Sequence, residues 1–149
     1  MKNLKTSATL LLGLLVATSG IAQQAEKSLV KSFSLLGNQT LVIDLEGPVE
    51  VKTWKNNSVR VQMDIELYNR PVTFLKGMIM AGRYNLKSTQ IEEGLLIKAP
   101  GMEREVKLKG EELKEKLAYV VFAPENVQVI MANEGSSSLE SAELSDKIK

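Results

Sequence analysis

Neither cysteine nor histidine occurs anywhere in the 149 residues of this chain. Disulfide bonds are therefore excluded, and the fold has to depend on packing alone. Without an imidazole, Ser-His-Asp and Cys-His catalysis are also excluded. The joint absence of the two residue types removes the usual ligands of zinc. Carboxylate pairs, Ser-Lys dyads, tyrosine and lysine are the catalytic groups left, and we expect a non-enzymatic protein with no metal and no cofactor.

The chain also lacks an excess of charge of either sign. It has 19 basic and 18 acidic residues, and removal of Lys2 and Lys5 with the leader described below leaves 17 basic residues against 18 acidic ones. Nucleic-acid binding needs a basic excess or a basic stripe, and anionic membranes attract polybasic clusters. We therefore expect no nucleic-acid partner and no electrostatic attachment to a membrane.

One long hydrophobic run is present, at residues 8–17, and its flanks are typical of a secretory signal. Lys2 and Lys5 precede the run, and the small residues Gly20 and Ala22 follow it. This pattern predicts a signal peptide over 1–22 with cleavage before Gln23. The run is shorter than the roughly 20 residues of a membrane-spanning helix, and no cysteine follows it for lipid attachment. We expect an exported protein without an integral membrane span, in the periplasm first and at the cell surface or in the medium as alternatives.

The rest of the chain alternates apolar and polar residues between glycine, proline and asparagine turns, which predicts an all-β fold. The clearest strand is 59–67, where five apolar residues face one way: Val59, Val61, Met63, Ile65 and Leu67. The architecture expected is a mainly antiparallel sandwich or a short solenoid-like stack of sheets. The expected domain plan is a flexible lead at 23–29, a β domain over 30–132 and a disordered serine-rich tail at 133–149.

The period of the pattern changes at 71–81, which predicts one short helix. Pro71 suits a first helical turn, and Gly82 is placed to end the helix in a left-handed conformation. The segment is apolar on most of its circumference, so we expect it to cover an end or the open face of the sheet. Residues 113–122 alternate as a strand, although a helix over 111–117 is the competing interpretation because Glu and Lys favour helices.

Four acidic residues on presumed wet faces are the best candidates for carboxylate chemistry: Asp44, Glu46, Asp64 and Glu66. If their strands are neighbours, they could form a hydrolase pair or a calcium site. Lys52 and Arg60 share these faces, which favours solvated charges over a site. A Ser-x-x-Lys spacing at Ser28 and Lys31 has none of the companion motifs of a Ser-Lys enzyme and is attributed to chance. We therefore predict no catalytic and no metal-binding residue.

Binding is the function for which side chains can be named. Trp54 lies on a presumed wet face ahead of a turn, where tryptophan can stack on sugars or anchor an interface. Phe74 and Met78 lie in the apolar helical segment, whose methionines suit adaptable binding. Tyr84 follows that segment. Each of the four also has a purely structural interpretation, as a residue of the core or of a sheet edge.

Three stretches resemble a known family: Leu-Glu-Gly-Pro-Val-Glu-Val-Lys-Thr-Trp-Lys-Asn-Asn-Ser-Val-Arg-Val at 45–61, Ala-Gly-Arg-Tyr-Asn-Leu-Lys at 81–87, and Val-Phe-Ala-Pro-Glu-Asn-Val-Gln-Val at 121–129. Together they resemble the putative-adhesin-like family of exported bacterial β domains of unknown function, over roughly 30–132. The resemblance implies a β-solenoid-like fold and no catalytic residues. Because the pattern stops at Met131, a compact sandwich or a short solenoid is expected in place of a full β-helix.

These observations favour an envelope-associated interaction or adhesin-like module that binds an envelope protein or a surface polymer. Two alternatives stay open. A periplasmic carrier would hold an apolar ligand under helix 71–81 as a lid, and an apolar pocket below that helix would favour it. A small carboxylate-dependent hydrolase would need at least two titratable groups together in a cleft.

Overall fold

The computed structural model describes residues 24–132, which form two four-stranded sheets, a two-stranded sheet and one helix. The elements in chain order are β1 (Gln24–Ser34), β2 (Thr40–Asp44), β3 (Val49–Trp54), β4 (Ser58–Tyr68), α1 (Val72–Met80), β5 (Lys87–Ile91), β6 (Gly94–Lys98), β7 (Lys107–Leu108), β8 (Glu111–Glu112), β9 (Glu115–Pro124) and β10 (Gln128–Met131). The prediction of an all-β fold with one short helix is confirmed. The predicted signal peptide 1–22 and tail 133–149 lie outside the described residues.

Sheet A has the strand order β1-β4-β9-β3, and sheet B has the order β10-β2-β6-β5. Strands β1, β4 and β9 pair antiparallel, as do β5 and β6. Strand β3 pairs parallel with β9, and β2 pairs parallel with both β10 and β6. The sheets are thus mixed, whereas mainly antiparallel pairing was expected. Two of the parallel pairs have a common origin. Strand β2 of sheet B leads into β3 of sheet A, and β9 of sheet A leads into β10 of sheet B. Because β3 pairs with β9 and β2 pairs with β10, the two connected pairs of strands stack like successive coils of a solenoid.

The core lies between the sheets and follows from the alternation in the sequence. Val59, Val61, Met63, Ile65 and Leu67 on β4 are each at most 1% exposed. Burial of such side chains contributes roughly 1.5–3 kcal/mol each before the entropy of ordering is subtracted. Sheet B supplies the opposing side chains of the same cluster, among them Leu41, Ile43, Leu95 and Ile97. Strand β9, which lies beside β4 in sheet A, adds Leu117, Tyr119 and Val121.

Strand β1 begins at Gln24 and pairs with β4 along its whole length. The predicted flexible lead at 23–29 is therefore wrong from Gln24 onward. Ala25 and Phe33 are buried and Leu29 is half-buried, but Lys27 and Lys31 occupy the same face between them, so the apolar alternation is interrupted in the sequence. Inward-facing charges on an edge strand discourage further strand pairing, which gives these lysines a structural role.

Helix α1 confirms the helix predicted at 71–81, and its end has a defined motif. Gly82 has a φ of 80°. Its N–H donates to the carbonyl of Ile79 (3.0 Å), and the N–H of Arg83 donates to the carbonyl of Met78 (3.2 Å), which together form a Schellman motif. The helix contacts β1 and buries Leu75, whereas Met80 is 88% exposed. It therefore covers one edge of the sandwich. Within residues 24–132, no helix is long and apolar enough to cross a membrane.

The helix considered over 111–117 is not formed. Lys109 (φ 53°) and Gly110 (φ 86°) connect β7 to β8, in the two-residue turn that hairpins favour. Strand β9 follows and is shifted by two residues from the predicted 113–122. Because its side chains fill the core with a period of two, tertiary packing overrides the helical propensity of the Glu and Lys residues.

Candidate functional site

A buried polar cluster begins with Glu115, the first residue of β9. Its position is in phase with Leu117, Tyr119 and Val121, whose side chains are all buried. The carboxyl group therefore points toward the interior, and its side chain is only 11% exposed. An acid at such a position needs a partner, because burial of an unpaired charge is costly.

Arg83 supplies that partner from the segment that follows α1. Its Nε donates to Glu115 Oε2 (3.2 Å), and its Nη2 forms an ion pair with Glu115 Oε1. The Arg83 side chain is 8% exposed. Tyr84 donates its hydroxyl proton to Glu115 Oε2 at 2.8 Å. The Schellman motif at the end of α1 aims both residues inward, and the fork geometry is the strong form of an Arg–carboxylate pair.

The same arginine also organises the turn after β6. Its Nη1 donates to the carbonyl oxygens of Gly101 (3.3 Å) and Arg104 (2.8 Å). A β-carbon at Gly101 would lie 2.3 Å from the backbone oxygen of Arg83, so no other residue fits without movement of the backbone. Arg83 thus joins the helix end, β9 and the 99–104 turn.

The protonation states in this region follow from burial and pairing. Burial raises the pKa of Tyr84, and its hydrogen bond to Glu115 raises it further. The hydrogen bond to Glu115 raises the pKa of Arg83 against the opposing effect of burial. Burial, with smaller effects of Glu46 and Glu115, raises the pKa of Tyr119 to about 12. Within the described residues, the hydroxyl of Tyr119 has no hydrogen-bond partner.

The cluster is built to hold structure. Both oxygens of Glu115 already accept hydrogen bonds, from Arg83 and Tyr84. A cleft of about 290 Å³ adjoins the cluster, and its lining mixes carboxylates with Arg83 and Arg104. Within residues 24–132, no group of three or more acidic side chains is arranged to hold a metal ion.

The four acidic candidates do not converge, so the hypothesis that they share one site is wrong. Asp44 lies on sheet B as the cross-strand neighbour of Lys98, and Glu46 follows that strand as an exposed residue. Asp64 and Glu66 lie on the outer face of sheet A. The two pairs belong to different sheets, because β2 and β4 are in different layers.

Trp54 ends β3 and projects from the outer face of sheet A. Its Nε1–H donates to the carbonyl oxygen of Ser58 at 2.8 Å. The guanidinium of Arg60 lies over the indole at 4.8 Å from the ring centroid, and the ring of Phe122 lies 5.5 Å away at 37°. Arg60 and Lys52 are the two direct cross-strand neighbours of Phe122. We call Trp54, Arg60 and Phe122 the aromatic cluster.

The other candidates lie elsewhere. Phe74 and Met78 are half-buried on α1 and pack against the core, beside β1. Since β1 and β3 are the opposite edges of sheet A, these two side chains do not join Trp54. Tyr84 is 3% exposed and belongs to the buried cluster.

Sequence reasoning missed Arg83 and Glu115 as partners and Phe122 and Arg60 as neighbours of Trp54. A signal for Glu115 was present, because this acid stands in phase with the buried residues of its strand. The signal for Phe122 was a large aromatic residue on the wet face of a central strand. Neither signal identifies the partner, which comes from an element distant in the sequence.

Comparison with known proteins assigns no family to this chain. No family model matches it, and no curated protein matches it. A solved structure described as a "putative cell adhesion protein" from Clostridium sporogenes is weakly similar, with 10% identity and a TM-score of 0.38. The similarity covers 71% of this chain and 45% of that chain, so this chain spans less than half of that protein's length. The adhesin-like resemblance in the sequence therefore stays a prediction.

Proposed function

We propose that the chain is a non-catalytic, exported binding module that engages a carbohydrate polymer of the bacterial envelope through the outer face of sheet A. The observation that carries this proposal is the aromatic cluster on that face. Arg60 lies over Trp54, and Phe122 stands between Arg60 and Lys52 in one rung of the sheet.

The face is accessible to a large ligand. Along the outward positions of β4 from Arg60 to Tyr68, and of β9 from Lys116 to Phe122, no residue is buried. Val30 on β1, the cross-strand neighbour of Gln62, adds an apolar side chain to this face and is 60% exposed. A sheet face of this kind can accept an extended polymer along or across its strands.

The chemistry of the cluster suits sugar rings. A pyranose offers C–H bonds on its faces, which pack on aromatic rings, and hydroxyl groups at its edge, which bond to polar side chains. Phe122 supplies the apolar contact, and Arg60 supplies hydrogen-bond donors beside it. A single contact of this size is weak, but a polymer with repeated units gains affinity through several modules or sites.

Two features support a function without catalysis. Glu115, whose side chain is only 11% exposed, has both oxygens occupied by Arg83 and Tyr84. The remaining acidic candidates are separated by the two layers of the sandwich. The chemistry of the sequence adds to this, since histidine and cysteine are both absent.

The proposal is tested by co-sedimentation of the chain without residues 1–22 with insoluble envelope polysaccharide. Phe122→Ser removes the apolar centre of the face, and we expect it to reduce binding at least tenfold. Leu96→Ser is the matched control, because Leu96 is the half-buried outward residue of a central strand in sheet B. We expect it to bind as the wild type does.

Equal loss in the two variants would contradict the assignment to sheet A. Loss of wild-type binding after protease treatment of the envelope material would contradict the assignment to a carbohydrate, and would indicate an envelope protein as the partner. Retention of binding in Phe122→Ser would exclude the aromatic cluster as the contact.

A further inference from the structure

A cavity of about 210 Å³ lies at the β1 edge of the sandwich, between that strand and the segment that precedes β5. Its lining comes from four parts of the fold and includes the apolar side chains of Leu29, Met63, Ile79 and Leu86. Tyr84 and Asn85 complete the lining from the segment before β5, and Val30 borders the cavity from β1 although it belongs to the outer face of sheet A. Ile79 is the contribution of α1, so the helix forms one wall of the cavity. Phe74 and Met78 are not among its lining residues.

Lys31 adds a positive charge to this lining. The residue is exposed but lines the cavity, and its Nζ donates to the carbonyl oxygen of Leu86 at 2.7 Å. Between residues 24 and 132, the five ion pairs do not include Lys31. One of the three N–H bonds of its ammonium group is therefore committed to Leu86, and no carboxylate of the described chain neutralises the charge.

The position of Lys31 makes the charge unusual. It faces Val61, which is fully buried, in the inward register of β1 between Leu29 and Phe33. An aliphatic residue in that register would extend the core to the edge of the sheet. Lysine instead leaves a cavity with a largely apolar lining and a cation among the lining residues.

We propose that this cavity binds a short aliphatic carboxylate, with the alkyl chain against the apolar side chains of the lining and the carboxylate on Lys31 Nζ. Charge complementarity selects the head group, since the ammonium lacks an acidic partner. The volume selects a short chain, because it is below the roughly 300–1,000 Å³ of pockets for drug-sized ligands. This site is distinct from the aromatic cluster, and the proposal does not depend on the proposed function.

The test is an NMR titration of the chain without residues 1–22, with octanoate as the probe and octanol as the uncharged probe of equal chain length. We expect saturable binding of octanoate, with shifts in the methyl groups of Leu29, Met63 and Ile79. Octanol should bind at least about tenfold more weakly than octanoate. Between butyrate and octanoate, affinity should rise roughly fourfold for each added methylene. Equal affinity of the two probes, or shifts confined to other residues, would overturn the proposal.

Variants locate the head group. Lys31→Gln should weaken octanoate binding about tenfold or more, as expected for loss of a charged hydrogen-bond partner, and should leave octanol binding unchanged. Lys31→Arg should retain octanoate. Lys27→Gln is the matched control, because Lys27 shares the inward face of β1 but does not line the cavity. Unchanged octanoate affinity in Lys31→Gln would contradict the proposal, and if that variant does not fold, the comparison of octanoate with octanol on the wild type decides.

Discussion

Arg83 and Glu115 form a bidentate ion pair, and their side chains are 8% and 11% exposed. The pair joins the end of α1 to the start of β9. Tyr84 shares the carboxylate, and the carbonyl oxygens of Gly101 and Arg104 share the guanidinium. The pair therefore connects three segments that are separate in the sequence. It explains how an acid can stand at an inward position of a core strand.

Removal of one partner of this pair should be strongly destabilising. We expect Glu115→Gln to lower the free energy of unfolding by about 3–5 kcal/mol, because it leaves the buried guanidinium without a counter-charge. Urea unfolding followed by circular dichroism measures this. The matched control is Glu50→Gln in the exposed pair of Glu50 with Lys52, whose side chains are 62% and 48% exposed, and it should cost less than about 1 kcal/mol. Similar losses in the two variants would contradict a structural role for the buried pair.

A double-mutant cycle separates the pair from the packing around it. Arg83→Met combined with Glu115→Leu removes both charges together, and it should destabilise by less than the sum of the two single substitutions. Additive losses, measured by the same urea unfolding, would show that the two side chains act independently.

The unpartnered hydroxyl of Tyr119 predicts a stabilising substitution. Tyr119 is 2% exposed, and its oxygen has no hydrogen-bond partner in the described part of the chain. A buried hydroxyl without a partner costs about 1–3 kcal/mol, so Tyr119→Phe should raise the free energy of unfolding by about 1 kcal/mol. A decrease in the same urea experiment would show that the hydroxyl is bonded in solution.

Stability should fall at alkaline pH because two tyrosines resist ionisation in the fold. The pKa of Tyr119 is raised to about 12 by burial, and that of Tyr84 is also raised, whereas an unfolded tyrosine ionises near about 10. The contribution of these two hydroxyl groups to the free energy of unfolding is complete below pH ~10, and it is lost as the pH rises through their pKa values in the folded protein. We expect Tyr119 to account for about 2 kcal/mol of this loss, so Tyr119→Phe should show a shallower decline between pH ~10 and ~12. Equal slopes for variant and wild type would contradict this origin.

Two glycines should respond in opposite directions to alanine. Gly94 has a φ of 149°, and a β-carbon there would lie 2.3 Å from the backbone oxygen of Thr40, so Gly94→Ala should cost about 2–3 kcal/mol. Gly77 lies within α1, and no atom outside its own stretch of helix lies within 4 Å of an added β-carbon, so Gly77→Ala should stabilise by about 0.5–1 kcal/mol. Thermal unfolding of the two variants provides the measurement. A loss in Gly77→Ala would show that the helix packs more closely than described.

The features that could be predicted from the sequence are those with local causes. Strand β4 has nine residues of strict alternation, and α1 has Pro71 at its start and Gly82 at its end. The start of β1 could not be predicted, because Lys27 interrupts its inward face and the segment 24–29 therefore has the pattern of a flexible lead. The parallel pairs depend on contacts between segments far apart in the chain, for which alternation carries no information.

The candidate site divides in the same way. Trp54 could be selected from its phase on β3, but the residues around it come from β4 and β9. Arg83 and Glu115 are 32 residues apart, and their pairing depends on how α1 and β9 meet. Sequence therefore indicated one member of each cluster, and the tertiary fold supplied the partners.

The most direct test of the central claim is an NMR footprint of the chain without residues 1–22 on solubilised envelope polysaccharide. The account predicts shifts in the side-chain signals of Trp54, Arg60 and Phe122, with those of Leu96 on sheet B unchanged. Shifts centred on the cleft beside Glu115, together with unchanged signals from the aromatic cluster, would contradict the claim that the chain binds through the outer face of sheet A.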